Sequence, residues 1–169
     1  MGLLDKLKER MAGKKTIGLA LGGGAARGWA HLGVLRALEE QDIHPQVVCG
    51  TSIGAIVGAS YACGHWQEFA AQADEISRSD LLPFFTDLSF SGSGLLRGGK
   101  AVKYLAQFME DVDIADLPLR YAAVATDLGT GEEVVLDRGR LLSAVRASMS
   151  IPGVFKPLVH DGRILVDGE

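Results

Sequence analysis

The chain is poor in the features that mark several classes of protein. It has two cysteines in 169 residues, 7% aromatic residues and a net charge of −4. Because Cys49 and Cys63 have no pattern of metal-ligand partners around them, we interpret both as buried reduced thiols. A slightly acidic chain with few aromatic residues also lacks the basic footprint and the stacking platform of a nucleic-acid-binding protein. No nucleic-acid partner is therefore expected.

Long apolar runs are missing as well. The longest, at residues 53–63, is too short and too broken by glycine to span a bilayer. The N-terminus lacks the apolar core of a cleavable signal, so we expect a cytoplasmic protein. What the chain does have is a 47% hydrophobic composition over a length that suits one domain with a substantial core.

The most informative pattern is Gly-x-Ser-x-Gly at residues 50–54, between a short apolar strand and an alanine-rich helix. This order is typical of a nucleophile elbow, a sharp turn that pushes a serine hydroxyl out of the sheet. Gly50 and Gly54 stand two residues before and after Ser52, where a side chain would collide with the neighbouring strand or helix. The start of the helix also favours negative charge developing beside Ser52. Because the chain has 22 glycines, the motif alone is weak evidence for an elbow, and the flanking strand and helix provide most of the support.

A second glycine cluster lies between a predicted strand at residues 16–21 and a predicted amphipathic helix at residues 29–41. Consecutive glycines there leave backbone N–H groups uncovered, which suits a pyrophosphate, a triphosphate or the oxyanion of acyl transfer. A dinucleotide fingerprint would need glycine in place of Arg27, and a P-loop would need Lys and Ser/Thr after Gly28. Of the three anions, the oxyanion of acyl transfer remains. The alternative is a tight connection from strand to helix that binds no ligand. The cluster reads Gly22, Gly23, Gly24, Ala25, Ala26, Arg27, Gly28.

A third element supplies an acid. Residues 163–166 form a predicted apolar strand that follows the turn at residues 161–162 and ends in Asp167. In an open parallel sheet the carboxyl ends of the strands line the ligand crevice, so Asp167 would face a serine on a neighbouring strand. An ordinary turn aspartate before glycine is the evenly weighted alternative. Elsewhere the sequence predicts two helices and two strands, at residues 66–77, 100–110, 121–126 and 134–136.

These motifs resemble those of the patatin-like phospholipases, which are lipid acyl hydrolases with a Ser-Asp dyad, and especially their small soluble bacterial members. The resemblance covers residues 17–168 and implies an α/β fold, a mainly parallel open sheet with helices on both faces. Residues 30–40 also look like the family's first helix, and residues 144–153 like the segment before its aspartate. Relatives continue beyond Glu169, where they usually have Gly or Ala, so we expect the domain to be truncated at its C-terminus.

The activity implied by the resemblance is hydrolysis of a phospholipid or another fatty-acyl ester through an acyl-enzyme, without a metal or organic cofactor. Arg27 would hold the glycine loop, compensate charge or form an ordinary ion pair. Ala25 stands where many relatives have another glycine. The implied site consists of catalytic Ser52 and Asp167, the oxyanion or substrate-binding residues Gly22, Gly23, Gly24, Ala25, Arg27 and Gly28, and the elbow glycines Gly50 and Gly54.

Two alternative functions stay open. A Ser-His-Asp esterase is disfavoured because its histidine follows the acid in the chain, whereas all four histidines here precede Asp167. Among them, His31 lies closest to the glycine loop, and we interpret it as a helix-surface or packing residue in preference to a substrate contact. The other alternative is a binding or regulatory module that keeps the fold without turnover.

Two segments bear on a lipid substrate. Residues 1–15 carry five basic and two acidic side chains, with Leu3, Leu4, Leu7 and Met11 at helical spacing. We treat them as a basic amphipathic segment before a catalytic domain at residues 16–169. The segment either lies peripherally on the anionic inner face of the membrane or packs as an ordinary N-terminal helix. Residues 81–85 and 90–96 together form an apolar, glycine-broken stretch, which suits a lid, with burial in the core as the favoured alternative for Phe84 and Phe85.

Overall fold

The computed structural model describes residues 16–75 and 104–169. The predictions on the amphipathic segment and on the lid lie outside these residues. The strands are β1 Gly18–Leu21, β2 Val47–Thr51, β3 Arg120–Asp127, β4 Glu133–Leu136, β5 Leu158–His160 and β6 Arg163–Asp167. The helices are α1 Ala30–Glu40, α2 Ile53–Ala62, α3 Trp66–Glu75 and α4 Leu141–Ser148, with 3-10 turns at Ala25–Trp29 and Ile114–Asp116.

Most of the described elements fall where the sequence predicts them, and one helix ends earlier than expected. Of the helix predicted over residues 100–110, the described part is helical only at Tyr104 and Leu105. The chain then turns through a hydrogen bond from the Phe108 N–H to the Leu105 carbonyl, at 2.9 Å. Phe108 and Met109 are buried in the core, so tertiary packing outweighs local helix propensity here.

The six strands form one open sheet, which confirms the α/β fold, but the sheet is mixed. β1 pairs with β2, and β2 with β3, in parallel. The other pairs, β3 with β4, β3 with β6 and β5 with β6, are antiparallel. The expectation of a mainly parallel sheet is therefore wrong, because the chain after β3 returns through short hairpins. Asp161 and Gly162 join β5 to β6 with φ angles of 47° and 77°, as a two-residue hairpin turn requires.

The registers show how β2 and β6 meet. β4 pairs with residues 123–126 of β3, which overlaps the pairing of β2 and also that of β6. Since each residue of a strand has one neighbour on each edge, β2 and β6 must share the edge opposite β4. β2 ends with Thr51 opposite Val124, and β6 ends with Asp167 opposite Ala125. The two strands therefore run towards each other along β3 and stop end to end.

Helices α2 and α4 contact each other and pack on one face of the sheet, around β3. Glycines in α2 allow a close approach, since a Cβ on Gly58 would lie 2.9 Å from a methyl of Val48. The Tyr121 hydroxyl donates a hydrogen bond to the Ala55 carbonyl at 2.8 Å, which ties β3 to α2. We predict helices on both faces of the sheet. In residues 16–75 and 104–169, the helix contacts establish one covered face. Among the helices described there, none has both the length and the apolar character needed to cross a bilayer.

Candidate active site

Ser52 lies between β2 and α2 in a backbone conformation that few side chains adopt, with φ 53° and ψ −122°. Such strain costs on the order of 1–3 kcal/mol and persists only where the surroundings enforce it. A Cβ on Gly50 would lie 2.3 Å from the Gly54 carbonyl oxygen, and one on Gly54 would lie 2.1 Å from the Leu21 carbonyl oxygen. Both are backbone atoms that cannot move aside. The turn therefore forms only with glycine at these two positions.

The Ser52 hydroxyl meets Asp167 where β2 and β6 end against each other. Ser52 Oγ donates a hydrogen bond to Asp167 Oδ2 at 2.7 Å, and each residue is only 5% exposed. Sequence reasoning placed Asp167 opposite the serine on the assumption that their strands are parallel. The structure brings the two together through the antiparallel register of β6, so the expected juxtaposition holds for a different reason.

Asp167 is held by backbone groups on both sides. Its own N–H donates to the Ser150 carbonyl at 2.9 Å, and its Oδ1 accepts the Glu169 N–H at 3.1 Å. Burial raises the pKa of the Asp167 carboxyl above its ordinary value, while hydrogen bonds from Ser52, Glu169 and Gly168 oppose that rise. A carboxylate with increased proton affinity, bonded to a hydroxyl, is suited to accept that hydroxyl's proton.

The glycine loop after β1 packs directly on the elbow. A Cβ on Gly28 would lie 2.2 Å from a methyl of Ile53, the residue after Ser52. A Cβ on Gly54 would lie 2.6 Å from the Gly22 carbonyl oxygen. Glycine at positions 28 and 54 thus lets the loop and the elbow touch at two points, which places the loop beside Ser52.

Within the loop, the backbone turns through left-handed conformations. Gly24 has φ 118° and Ala25 has φ 48°, so Ala25 adopts a conformation that costs about 1–2 kcal/mol for an L-residue with a side chain. The Arg27 N–H donates to the Gly24 carbonyl at 3.0 Å, and the Arg27 side chain is exposed. The Gly23 Cα faces the Glu169 side chain, whose Oε1 would lie 2.1 Å from a Cβ on Gly23. Gly23 therefore lies next to the segment that ends in Asp167.

Sequence reasoning missed the contribution of Ser148, at the end of α4. Its hydroxyl accepts the Ser52 N–H at 2.9 Å and donates to the Val124 carbonyl at 2.6 Å. Ser148 is fully buried, and it fixes the backbone of Ser52 against β3. Because 96 residues separate the two serines, a local pattern cannot reveal this contact. The available signal was a polar residue, Ser148, at the end of a helix that is mostly buried.

Arg146 supports the same segment from inside the core. Its guanidinium donates to the Ser150 hydroxyl and to the Lys156 carbonyl, the latter at 2.7 Å. It also lies over the Phe155 ring, 5.4 Å from the centroid. Since the Ser150 carbonyl accepts the Asp167 N–H, this buried arginine stabilises the loop on which Asp167 depends.

The four histidines do not join Ser52 and Asp167. The His44 ring contacts Asp42 at 3.0 Å, and the His160 ring lies 3.6 Å from Asp161, both at the surface. His31 differs, because its Nε2 lies 2.8 Å from the Gly22 carbonyl oxygen. In the described ranges, no hydrogen bond links any histidine to Ser52 or Asp167.

A cavity of about 690 Å³ lies at the amino ends of β2 and β3, lined among others by Thr16, Gln46, Arg120 and Asp137. Ser52 and Asp167 lie at the carboxyl ends of β2 and β6. Size alone would favour this cavity as a ligand site. We place the candidate active site at the Ser52–Asp167 pair instead, because there a buried hydroxyl is hydrogen-bonded to a buried carboxylate beside the glycine loop.

The fold and site together define an α/β protein with a buried serine–aspartate pair at a strained strand-to-helix turn, beside a glycine loop. The profile of the patatin-like phospholipase family matches residues 19–169. The chain belongs to the patatin-like phospholipase family, which confirms the resemblance found in the sequence.

Individual relatives agree with this assignment. An NTE family protein of Mycobacterium tuberculosis is 42% identical over 162 residues, covering 96% of this chain and 45% of the relative. A lysophospholipase of Pyricularia oryzae is 34% identical over 175 residues, covering 99% of this chain and 11% of the relative. The chain thus spans less than half the length of these curated relatives. The crystal structure of VipD from Legionella pneumophila matches with a TM-score of 0.53 at 16% identity, over 90% of this chain and 46% of that one, which shows a shared fold.

Proposed function

We propose that the protein is a lipid acyl hydrolase in which Ser52 and Asp167 form a catalytic dyad. The observation that carries the proposal is the 2.7 Å hydrogen bond from Ser52 Oγ to Asp167 Oδ2 at the elbow. A nucleophile bonded to a base, with N–H groups beside them for the oxyanion, is the constellation that acyl transfer needs. Family membership supports a fatty-acyl ester as the substrate.

In the proposed mechanism, Ser52 Oγ attacks the ester carbonyl carbon while its proton passes to Asp167 Oδ2. Backbone N–H groups of Gly23, Gly24 and Ala25 stabilise the tetrahedral oxyanion. When the oxyanion collapses, the carbon–oxygen bond to the alcohol breaks and Asp167 returns the proton to the leaving oxygen. Asp167 then takes a proton from water as the water oxygen attacks the acyl carbon. When this second oxyanion collapses, the bond from the acyl carbon to Ser52 Oγ breaks, Asp167 returns the proton to Oγ, and the fatty acid is released.

The direct test is release of fatty acid from three substrates: phospholipid vesicles, lysophospholipid micelles and a p-nitrophenyl ester. We expect turnover of at least one by the wild-type protein, with no added metal. The alternative of a binding module predicts a folded protein that co-sediments with vesicles and releases no fatty acid from any of the three. Comparing the rates on the three substrates also ranks the substrate classes.

Gly24→Ala is expected to lower kcat by about 10²-fold, the scale of losing an oxyanion donor. Alanine does not adopt φ 118° without strain, so the loop must move its N–H groups. Gly33→Ala is the matched control, because a Cβ on Gly33 meets nothing within 4 Å; it should keep wild-type kcat. Kinetics with the p-nitrophenyl ester, alongside circular dichroism, checks both variants. Unchanged kcat in a well-folded Gly24→Ala protein would show that groups outside this loop stabilise the oxyanion.

We also propose that residues 1–15 contact an anionic membrane surface. Deleting residues 1–14 should weaken co-sedimentation with vesicles that contain phosphatidylglycerol, because a basic amphipathic segment binds through charge and apolar burial. Raising the salt concentration should weaken binding of the full chain, since exposed charges are screened over roughly 8 Å at physiological ionic strength. Neutral phosphatidylcholine vesicles are the control. Equal binding with and without the segment would leave it as an ordinary terminal helix.

A further inference from the structure

His31 makes a contact that the proposed mechanism does not use. It is the second residue of α1, and its Nε2 lies 2.8 Å from the carbonyl oxygen of Gly22. A carbonyl oxygen can only accept a hydrogen bond, so Nε2 must be the donor. When the ring is neutral, its proton is therefore on Nε2.

This contact fixes the orientation of one peptide group. The Gly22 carbonyl and the Gly23 N–H belong to the same planar trans peptide, in which the two groups point in opposite directions. Gly22 is exposed and a Cβ there would meet nothing within 4 Å, and glycine rotates more freely than other residues. The hydrogen bond from His31 therefore limits where the Gly23 N–H can point.

The same carbonyl also touches the elbow. A Cβ on Gly54 would lie 2.6 Å from the Gly22 oxygen, so this oxygen is held between the His31 ring and α2. On the other side of the peptide, Gly23 faces Glu169, whose N–H is bonded to Asp167. The Gly22–Gly23 peptide thus contacts His31 and α2 on its carbonyl side, and Gly23 lies against Glu169, two residues after Asp167.

We propose that His31 is a positioning residue that holds the Gly22–Gly23 peptide so that the Gly23 N–H is aimed at the oxyanion. The proposal rests on the proposed function, because it assigns His31 to the oxyanion loop of that reaction. His31 touches neither Ser52 nor Asp167 and exchanges no proton with the substrate. It acts on the transition state, so its loss lowers kcat and leaves KM nearly unchanged.

The test compares His31→Ala with His31→Gln. Gln carries an N–H donor on Nε2 at the same bond separation from Cα, so it can keep the hydrogen bond that Ala removes. We expect His31→Ala to lower kcat by about 10- to 100-fold, with KM within about threefold of wild type, and His31→Gln to recover most of kcat. Val34→Ala, on the exposed side of the same helix, should keep wild-type kinetics.

A folded His31→Ala protein with wild-type kcat would overturn the proposal, as would equal losses in the Ala and Gln variants. Nitrogen-15 NMR of the wild-type protein gives a readout independent of turnover: we expect the neutral ring to carry its proton on Nε2, and a proton on Nδ1 would contradict the contact. Failure of the proposed hydrolase function would give a different result from failure of the His31 proposal. Wild-type protein would then hydrolyse no ester while the Nε2–H form persists, and the positioning role would fall with the function.

Discussion

Ser52→Ala should lower ester hydrolysis by at least ~10³-fold while the protein remains folded. The reason is that Ser52 Oγ is the hydroxyl that the elbow presents to Asp167, at 2.7 Å. Alanine keeps the Cβ and can retain the backbone bond from residue 52 to Ser148, so the turn should survive. The measurement is kcat/KM for a p-nitrophenyl ester, with the thermal midpoint recorded for each protein.

Ser60→Ala is the matched control for Ser52→Ala. Ser60 is also a buried serine of the elbow helix, and its hydroxyl only donates to the Val57 carbonyl at 2.8 Å. We expect this variant to keep wild-type activity and to lose about 1 kcal/mol of stability, the net contribution of one such hydrogen bond. Near wild-type hydrolysis by Ser52→Ala would show that another group is the nucleophile.

Asp167→Asn should lower kcat by about 10²- to 10⁴-fold, the usual contribution of a positioned general base. Asparagine keeps the shape and an oxygen for the Glu169 N–H, but it cannot take the proton of Ser52. Asp161→Asn is the matched control, because Asp161 is exposed in a hairpin turn at φ 47°, a conformation that asparagine tolerates. If Asp161→Asn and Asp167→Asn had equal activity, Asp167 would not be the base.

The raised pKa of Asp167 adds two pH-dependent expectations. Burial favours the protonated carboxyl in the folded protein, so wild-type activity should fall as the pH drops through that raised pKa. The contribution of Asp167 to stability is present below its unfolded pKa and is lost as the pH rises through its folded pKa. At neutral pH the Asn variant should therefore be at least as stable as wild type in urea. A large loss of stability with Asn at pH 7 would contradict this account of the burial.

The histidine variants separate a dyad from a triad. Replacing His44, His65 or His160 by Gln should leave most of the activity, because none of them is bonded to Ser52 or Asp167 in the residues that the structure describes. The same kinetic assay decides the matter. A variant of one of these three that is as inactive as Asp167→Asn, in a folded protein, would make Asp167 the orienting acid of a triad.

The elbow and the glycine loop were predictable because their geometry is local. A Cβ on Gly50 would lie 2.3 Å from the carbonyl oxygen of Gly54, four residues on, which excludes every side chain, so the sequence must show glycine there. The direction of β6 was not predictable in the same way. Asp161-Gly162 signals a tight turn, but only the pairing of β5 with β6 shows that the returning strand is antiparallel.

Contacts between distant parts of the chain could not be predicted from the sequence. Ser148 binds the Ser52 N–H and the Val124 carbonyl, and nothing within α4 indicates which strand it will meet. His31 shows the same limit on a smaller scale. Its position close to the glycine loop was visible, but the acceptor on Gly22 became known only once the loop had a conformation.

The measurement that tests the central claim most directly is covalent labelling by a fluorophosphonate, read by intact mass and peptide mapping. The probe reacts with a serine only where a base and an oxyanion site activate it. We predict one adduct per wild-type chain, on Ser52, slower labelling of Asp167→Asn and none of Ser52→Ala. An adduct on a different residue, or no adduct on folded wild-type protein, would contradict the assignment of Ser52 and Asp167 as a working dyad.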